Sequence, residues 1–170
     1  MLNDIKLKLA SLIDATSIAC MSRELIEYDL PWSWDARRVA YYIRCHDAVV
    51  LTARAQGRIV GFAIMHFREA SAHLNLLAVQ SHYRHLGIGS GLVTWLEKSA
   101  RVAGTFIVSL EVRANNRGAH VFYRKLGYID IVSLPGYYRG REAAIRMSKD
   151  LRCGQRLPSG RGDLDARTFL

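Results

Sequence analysis

A glycine-rich segment near the middle of the 170-residue chain carries most of the information about its fold. It reads Arg84-His85-Leu86-Gly87-Ile88-Gly89-Ser90-Gly91-Leu92 and joins a predicted strand to a predicted helix. Because Gly87 and Gly89 have no Cβ, their backbone N–H groups can approach an anion closely. The helix that begins there adds unpaired N–H groups, and Arg84 can donate a charge-assisted hydrogen bond. The segment predicts a phosphate-binding turn; the alternative is a turn that only joins strand to helix.

Two widespread phosphate motifs do not match this segment. A dinucleotide fingerprint needs a third glycine, and Leu92 stands in its place. A P-loop needs a Gly-Lys-Ser/Thr sequence, and Gly89-Ser90-Gly91 supplies no lysine.

The spacing of apolar residues predicts alternating helices and strands on both sides of the turn. Helices are predicted over 14–29, 34–45, 87–103 and 116–126, and strands over 48–53, 59–67, 72–79, 106–113, 128–134 and 142–149. Turns are predicted at Gln56-Gly57 and Pro135-Gly136. Along the strand over 72–79 the apolar residues change from even positions (Leu74 and Leu76) to odd positions (Leu77 and Val79). A β-bulge would cause such a change, and so would chance. The order predicts an α/β fold with a mixed central sheet, parallel at its centre, flanked by helices.

Composition limits the class of protein. Half of the residues are hydrophobic and 23% are charged, which predicts one folded domain, placed here at residues 1–151. From residue 152 to 170 the sequence is rich in glycine and charge and has no period, so it predicts a disordered tail. The three cysteines form no C-x-x-C pair, which is typical of a reducing compartment. Without a secretory signal or an apolar run long enough for a membrane, a cytoplasmic protein with no membrane partner is expected.

The charge is strongly positive but uneven. The chain carries 24 Lys and Arg against 15 Asp and Glu, a net charge of +9, which favours anionic partners or merely solvates the surface. A local acidic patch, comprising Glu24, Glu27, Asp29 and Asp35, lies on this basic background. It predicts a local attraction for a basic substrate.

Three motifs in order resemble the GNAT acetyltransferases. They are Leu77-Ala78-Val79, then Arg84-x-x-Gly87-x-Gly89, then Asn116-x-x-Ala119-x-x-x-Tyr123-x-x-Leu126-Gly127-Tyr128. Asp29-Leu30-Pro31-Trp32-Ser33, Leu110-Glu111-Val112-Arg113-Ala114-Asn115-Asn116 and the stretch from Tyr137-Tyr138 to Met147 resemble the RimI subgroup, which acetylates the N-termini of bacterial ribosomal proteins. The resemblance covers about residues 26–151. The link between Tyr138 and Arg141 is shorter than is usual for the subgroup, which bears on substrate choice.

The resemblance implies acetyl-CoA as cosubstrate and a role for each matching residue. The coenzyme would be held by Leu77, Ala78, Val79, Arg84, His85, Leu86, Gly87, Ile88, Gly89, Ser90 and Asn116. Glu111 would be the general base and Tyr123 the general acid, while Trp32, Tyr137 and Tyr138 would lie beside the acceptor. The acceptor would be a peptide or protein N-terminus. No metal and no direct contact with nucleic acid are expected.

The residues themselves leave alternatives open. Glu111 shares a strand face with Ser109 and Arg113, so it could form a structural ion pair with Arg113 or a lysine. As a base in a desolvated cleft it is expected to have a raised pKa. Tyr123 could simply pack in its helix, with its hydroxyl bonded locally. The acceptor could instead be a lysine side chain or a small amine, and a basic ribosome- or RNA-associated module without activity is a third interpretation.

Overall fold

The structure is a computed structural model that describes residues 5–153. Seven strands span Ile5–Leu9 (β1), Ala48–Ala55 (β2), Arg58–Phe67 (β3), Ser71–Val79 (β4), Ile107–Arg113 (β5), Ile129–Tyr138 (β6) and Glu142–Asp150 (β7). Four helices span Ala15–Leu25 (α1), Ala36–Arg44 (α2), Ile88–Val102 (α3) and Arg117–Lys125 (α4). Residues 154–170 lie outside this range, so the disordered tail stays a prediction.

The strands form one mixed sheet in the order β1-β2-β3-β4-β5-β7-β6. All neighbours pair antiparallel except β4 and β5, which are parallel over Ser71–His73 and Ile107–Ser109. The predicted α/β fold with a parallel centre is therefore confirmed. The single parallel pair lies in the middle because the chain crosses from β4 to β5 through α3.

Helices cover both faces of the sheet and create two cores. On one face α3 buries Leu92, Val93 and Leu96 against β2 to β5, and α4 adds Tyr123. On the other face α1 and α2 bury Ile18 and Val39. The sheet is therefore the middle of three layers.

The β-bulge in β4 is confirmed, and it changes which face each side chain occupies. Leu76 pairs with Ile64 and Leu74 pairs with Met65, so Asn75 is the extra residue. Leu74 before the bulge belongs to the core under α3, whereas Leu76 after it belongs to the core under α1 and α2. The bulge at Asn75 therefore explains why the apolar residues change from even to odd positions along β4.

The sequence prediction was wrong at three places, namely a missed strand, a helix end and a hairpin turn. The sequence prediction lacked β1, which pairs with β2 along its whole length. The first helix ends at Leu25, and the chain from Ile26 to Asp35 is a loop. The last hairpin turns at Arg139-Gly140, both with positive φ, whereas Pro135-Gly136 lies inside β6 where its pairing with β7 is interrupted.

Candidate active site

The separation of β4 from β5 creates the cleft that contains the candidate site. The two strands pair only as far as His73 and Ser109, and beyond that point they diverge. Leu77, Ala78 and Val79 pair with β3 on one side only, so the backbone of their other edge is open to a ligand, apart from the Val79 carbonyl, which accepts from Arg84. An extended ligand can add to such an edge as a further strand. This geometry fits the pantetheine arm of a coenzyme A molecule.

The predicted phosphate turn closes one end of this cleft. His85 and Gly87 both have positive φ, and Gly87 is the N-cap of α3. The first hydrogen bond of α3 runs from the Gly91 N–H to the Gly87 carbonyl, so the N–H groups of Ile88, Gly89 and Ser90 precede the helical ladder. Such free N–H groups at the positive end of a helix dipole bind phosphate. The turn fits the pyrophosphate of a coenzyme.

The structure also locates three further residues predicted to contact the coenzyme, namely Arg84, Leu86 and Asn116. The exposed side chain of Arg84 donates through Nε to the Val79 carbonyl at 3.1 Å, which joins the turn to the end of β4. Leu86 is 43% exposed beside it. Asn116 caps α4, and its Oδ1 accepts from the Ala119 N–H at 3.0 Å. The predicted N-cap is confirmed, and the coenzyme contacts of these side chains stay predictions.

Gly89→Asp is expected to weaken acetyl-CoA binding about tenfold or more, since its carboxylate would oppose the phosphates at the same N–H groups. The added Cβ lies 3.3 Å from Phe122 Cζ, so the Phe122 ring must shift slightly, and the melting temperature of the variant is measured beside its affinity. Isothermal titration with coenzyme A measures the effect. Gly91→Asp is the matched control, because a Cβ there faces only Leu7 at 4.0 Å. Equal affinity in the wild type and Gly89→Asp would contradict this placement.

Glu111 lies on β5 where the cleft opens, and it is held by two basic side chains. Its Oε2 is 2.9 Å from His73 Nε2 and its Oε1 accepts from Arg146 Nε at 2.8 Å. His73 Nδ1 contacts Ser109 Oγ at 3.1 Å, so both ring nitrogens are engaged. The alternative of an ion pair with Arg113 or a lysine is not what the structure shows, since Glu111 pairs with Arg146 on β7. The side chain of Glu111 is only 7% exposed.

The expectation of a raised pKa for Glu111 is also wrong. Burial favours the neutral acid and would raise the pKa, but the hydrogen bonds and charges of His73 and Arg146 favour the carboxylate more strongly. The pKa of Glu111 is therefore lowered from its ordinary value of 4.5. At neutral pH Glu111 is an ionised carboxylate, which is the form that can accept a proton.

Sequence reasoning missed His73. It lies on β4 two residues before the bulge, and its partner Glu111 lies on a different strand. A histidine on the polar side of an alternating strand, next to the predicted bulge, was the available signal.

Tyr123 lies in α4, which covers the face of the sheet opposite to α1. Its ring is 8% exposed and packs edge-on against Phe122 and Tyr128, with centroids 5.0 and 5.6 Å away. Among residues 5–153 its hydroxyl has no hydrogen-bond partner, so the alternative of a locally bonded hydroxyl is not supported. Burial, followed by the nearby Tyr138, raises the pKa of Tyr123 well above 10.0, which keeps its proton in place at neutral pH.

The structure brings two of the three predicted acceptor residues, Tyr137 and Tyr138, close to Glu111. Tyr137 and Tyr138 end β6 with rings 5.0 Å apart. Burial, then the neighbouring Tyr137, raises the pKa of Tyr138 to about 12, and the charge of Glu111 contributes to the raised pKa of both tyrosines. Trp32 is 41% exposed in the loop from Ile26 to Asp35. Tyr137 and Tyr138 thus form an amphipathic wall of aromatic residues next to Glu111, whereas Trp32 contacts Arg23, 5.0 Å from the centre of its ring, and donates to the Trp34 carbonyl at 3.1 Å.

The acidic patch does not form a free anionic surface. Glu27 is 5% exposed and accepts hydrogen bonds from Ser33 N and Oγ at 2.9 and 2.6 Å, and from Trp34 N and Ser22 Oγ at 3.2 Å. Asp29 pairs with Arg113 at 2.7 Å, and Asp35 caps α2. Of the four carboxylates only Glu24 is exposed and without a partner in the described chain. The predicted attraction for a basic substrate through Glu27 is therefore wrong, because its charge stabilises the loop.

Glu27→Gln is expected to lower the free energy of unfolding by about 1–3 kcal/mol, because hydrogen bonds to a buried charged acceptor are replaced by those of an amide. Thermal and urea unfolding measure this change. Glu24→Gln, one turn earlier on α1 and exposed, is the matched control. Equal stability of the two variants would show that the Glu27 carboxylate does not hold the loop.

Two general expectations concern metals and membranes. Within residues 5–153 no three or more His, Cys, Asp or Glu side chains come together in a way that could hold a metal ion. In the same range no helix has the length and apolar character needed to cross a membrane.

Comparison with known proteins identifies the family. Residues 19–128 match the model of the acetyltransferase (GNAT) family. An uncharacterized N-acetyltransferase of Methanocaldococcus jannaschii is 33% identical over 137 residues, covering 80% of this chain and 85% of that protein. The alanine N-acetyltransferase of ribosomal protein bS18 from Escherichia coli is 34% identical over 95 residues, covering 54% and 64%. The chain therefore belongs to the GNAT family and is an N-acetyltransferase.

Solved structures agree with this assignment at the level of the fold. The crystal structure of the ribosomal-protein-S18-alanine N-acetyltransferase from Escherichia coli has a TM-score of 0.76 at 24% identity and covers 87% of this chain and 94% of its own. A PaiA N-acetyltransferase from Thermoplasma acidophilum, solved in complex with coenzyme A, has a TM-score of 0.73 at 20% identity and covers 86% and 99%. Coenzyme A is thus bound on this fold.

Proposed function

We propose that the protein transfers the acetyl group of acetyl-CoA to the N-terminal amine of a protein, with a ribosomal protein as the first candidate. The observation that carries the proposal is the Glu111–His73 pair, which lies where the open edge of β4 meets the wall of aromatic residues. An amine entering past Tyr138 reaches this pair, and a coenzyme along Leu77–Val79 approaches it from the other side. Of the relatives named above, one is an alanine N-acetyltransferase of ribosomal protein bS18 and the other carries the general name of N-acetyltransferase.

Acetyl-CoA would supply the acetyl group and a thiol leaving group. An N-terminal α-amine has a pKa near 8, so a weak base is enough to maintain its neutral form. In our proposal the proton passes to the Glu111 carboxylate, directly or through water, and the His73 imidazole, 2.9 Å from Glu111 Oε2, orients that carboxylate. Arg146 fixes the other carboxylate oxygen, so the orientation of Glu111 does not depend on the substrate.

Tyr123 is proposed as the proton donor for the thiolate that leaves when the thioester bond breaks. Its raised pKa keeps the hydroxyl protonated, and the hydroxyl has no competing partner within the described chain. The N–H groups of Ile88, Gly89 and Ser90 would hold the pyrophosphate, and the backbone of Leu77–Val79 would orient the pantetheine arm.

A panel of acceptors with labelled acetyl-CoA tests the choice of substrate. The panel comprises peptides with free N-termini, peptides with a blocked N-terminus and a free lysine, and polyamines. We expect transfer to free N-termini, and mass spectrometry should place the label on the α-nitrogen. Faster acetylation of lysine or polyamines would contradict the proposed acceptor and leave the acetyltransferase assignment intact.

A further inference from the structure

Arg113 occupies the seam between the two segments that flank the acceptor end of the cleft. It is the last residue of β5, and strand alternation places it on the same face as Glu111. Its side chain is only 10% exposed, which is low for an arginine at the end of a strand. Among the described residues it has no direct contact with Glu111, so its role differs from that of Arg146.

On one side Arg113 holds the loop that follows α1. Nη1 lies 2.7 Å from Asp29 Oδ1, and Nη2 donates to the Ile26 carbonyl at 2.8 Å. The guanidinium also lies 5.2 Å from the centre of the Tyr28 ring. These partners are 84 to 87 positions away in sequence, so the contacts determine where the loop lies relative to the sheet.

On the other side Arg113 contacts the hairpin between β6 and β7. Nη1 lies 3.4 Å from Glu142 Oε2, and the guanidinium lies 5.3 Å from the centre of the Tyr138 ring. One planar cation therefore joins the loop and the hairpin. A guanidinium can do this because it donates in several directions in one plane and stacks on rings, whereas an ammonium group acts as a point charge.

We propose that Arg113 is a positioning residue that fixes the width of the acceptor groove by clamping the loop from Ile26 to Asp35 against the 138–142 hairpin. This inference rests on the proposed function in one respect, namely that the acceptor enters between these two segments. The clamp acts on acceptor binding, because the partners of Arg113 are remote from the phosphate turn. The catalytic pair Glu111–His73 keeps its own contacts when Arg113 is replaced.

The test is a kinetic comparison of Arg113→Lys with the wild-type full-length enzyme. We expect the KM for the acceptor to rise about tenfold, as for the loss of charge-assisted hydrogen bonds, while kcat and the KM for acetyl-CoA change less than about twofold. Asp29→Asn should give a smaller rise in the same KM. The effects of Asp29→Asn and Arg113→Lys on this KM should not add, because both variants break the same contact between Arg113 and Asp29.

Arg54→Lys is the matched control for a purely structural arginine. Arg54 is also partly buried and pairs with Asp14 at 2.7 Å, but on β2, away from the cleft. It should lower the melting temperature without a selective rise in the KM for the acceptor. An unchanged acceptor KM in Arg113→Lys, or equal rises in both KM values, would overturn the proposal.

The experiment also separates this inference from the proposed function. The kinetics use whichever acceptor the wild-type enzyme acetylates in the panel, whether a peptide N-terminus, a lysine or a polyamine. If only small amines react, the proposed acceptor is wrong, while the effect of Arg113→Lys still decides the clamp. If Arg113→Lys does not fold, Asp29→Asn and Glu142→Gln each remove one partner, and a rise of about two- to threefold in the acceptor KM is expected from each.

Discussion

Glu111→Gln is expected to lower kcat by about 10²- to 10⁴-fold, the usual contribution of general acid–base catalysis. Glutamine keeps the size of the side chain and a hydrogen bond to Arg146, but its neutral amide cannot accept a proton from the substrate. The affinity for acetyl-CoA should not change, because the phosphate turn is on another element. Steady-state kinetics and titration with coenzyme A measure the two effects. If kcat is unchanged in this variant, Glu111 has only the structural role of an ion pair with Arg146.

The stability of the same variant provides a check on its charge state. The pKa of Glu111 is below 4.5 in the folded protein, so its ion pairs stabilise the folded state fully at a pH above the pKa of Glu111 in the unfolded chain. This stabilisation is lost as the pH falls through the pKa of Glu111 in the folded protein. The difference in melting temperature between the wild type and Glu111→Gln should therefore narrow on acidification below about pH 4.5. A constant difference would mean that the pKa is not lowered.

The sequence predicted the fold well because local signals and the order of elements agreed. Apolar periodicity located the four helices, and the glycines at 87, 104 and 127 marked helix ends where φ is positive. The strand β1 was missed although Ile5-Lys6-Leu7-Lys8-Leu9 alternates in the expected way. The hairpin turn was placed at Pro135-Gly136 because these residues favour turns, but the register of β6 against β7 puts the turn at Arg139-Gly140.

The candidate site was only partly predictable. Alternation along β5 correctly placed Glu111 on the polar face, but its partners His73 and Arg146 come from strands 35 to 38 positions away. Strand register decides such contacts, and a single sequence does not contain it. The sign of the pKa shift depended on these partners and was therefore predicted wrongly. The acidic patch was misjudged for a similar reason, since burial of Glu27 by Ser33 and Trp34 is a tertiary property.

Tyr123→Phe is expected to lower kcat by about 10²-fold or more while the affinity for acetyl-CoA and the melting temperature stay the same. The variant removes a proton donor but keeps a ring that packs on Phe122 and Tyr128, and no hydrogen bond within the described chain is lost.

Tyr128→Phe is the matched control for this prediction. Tyr128 is also a buried tyrosine, with its ring 5.6 Å from Tyr123, but its hydroxyl lies 3.1 Å from the buried Glu97 Oε1. Its removal leaves that acceptor with one partner fewer, so the free energy of unfolding should fall by about 1 kcal/mol while kcat stays close to the wild-type value. The two variants should thus separate loss of a proton donor from loss of a structural hydrogen bond. If Tyr123→Phe instead lowers stability and keeps its turnover, the thiol takes its proton from water, and Tyr123 is a core residue.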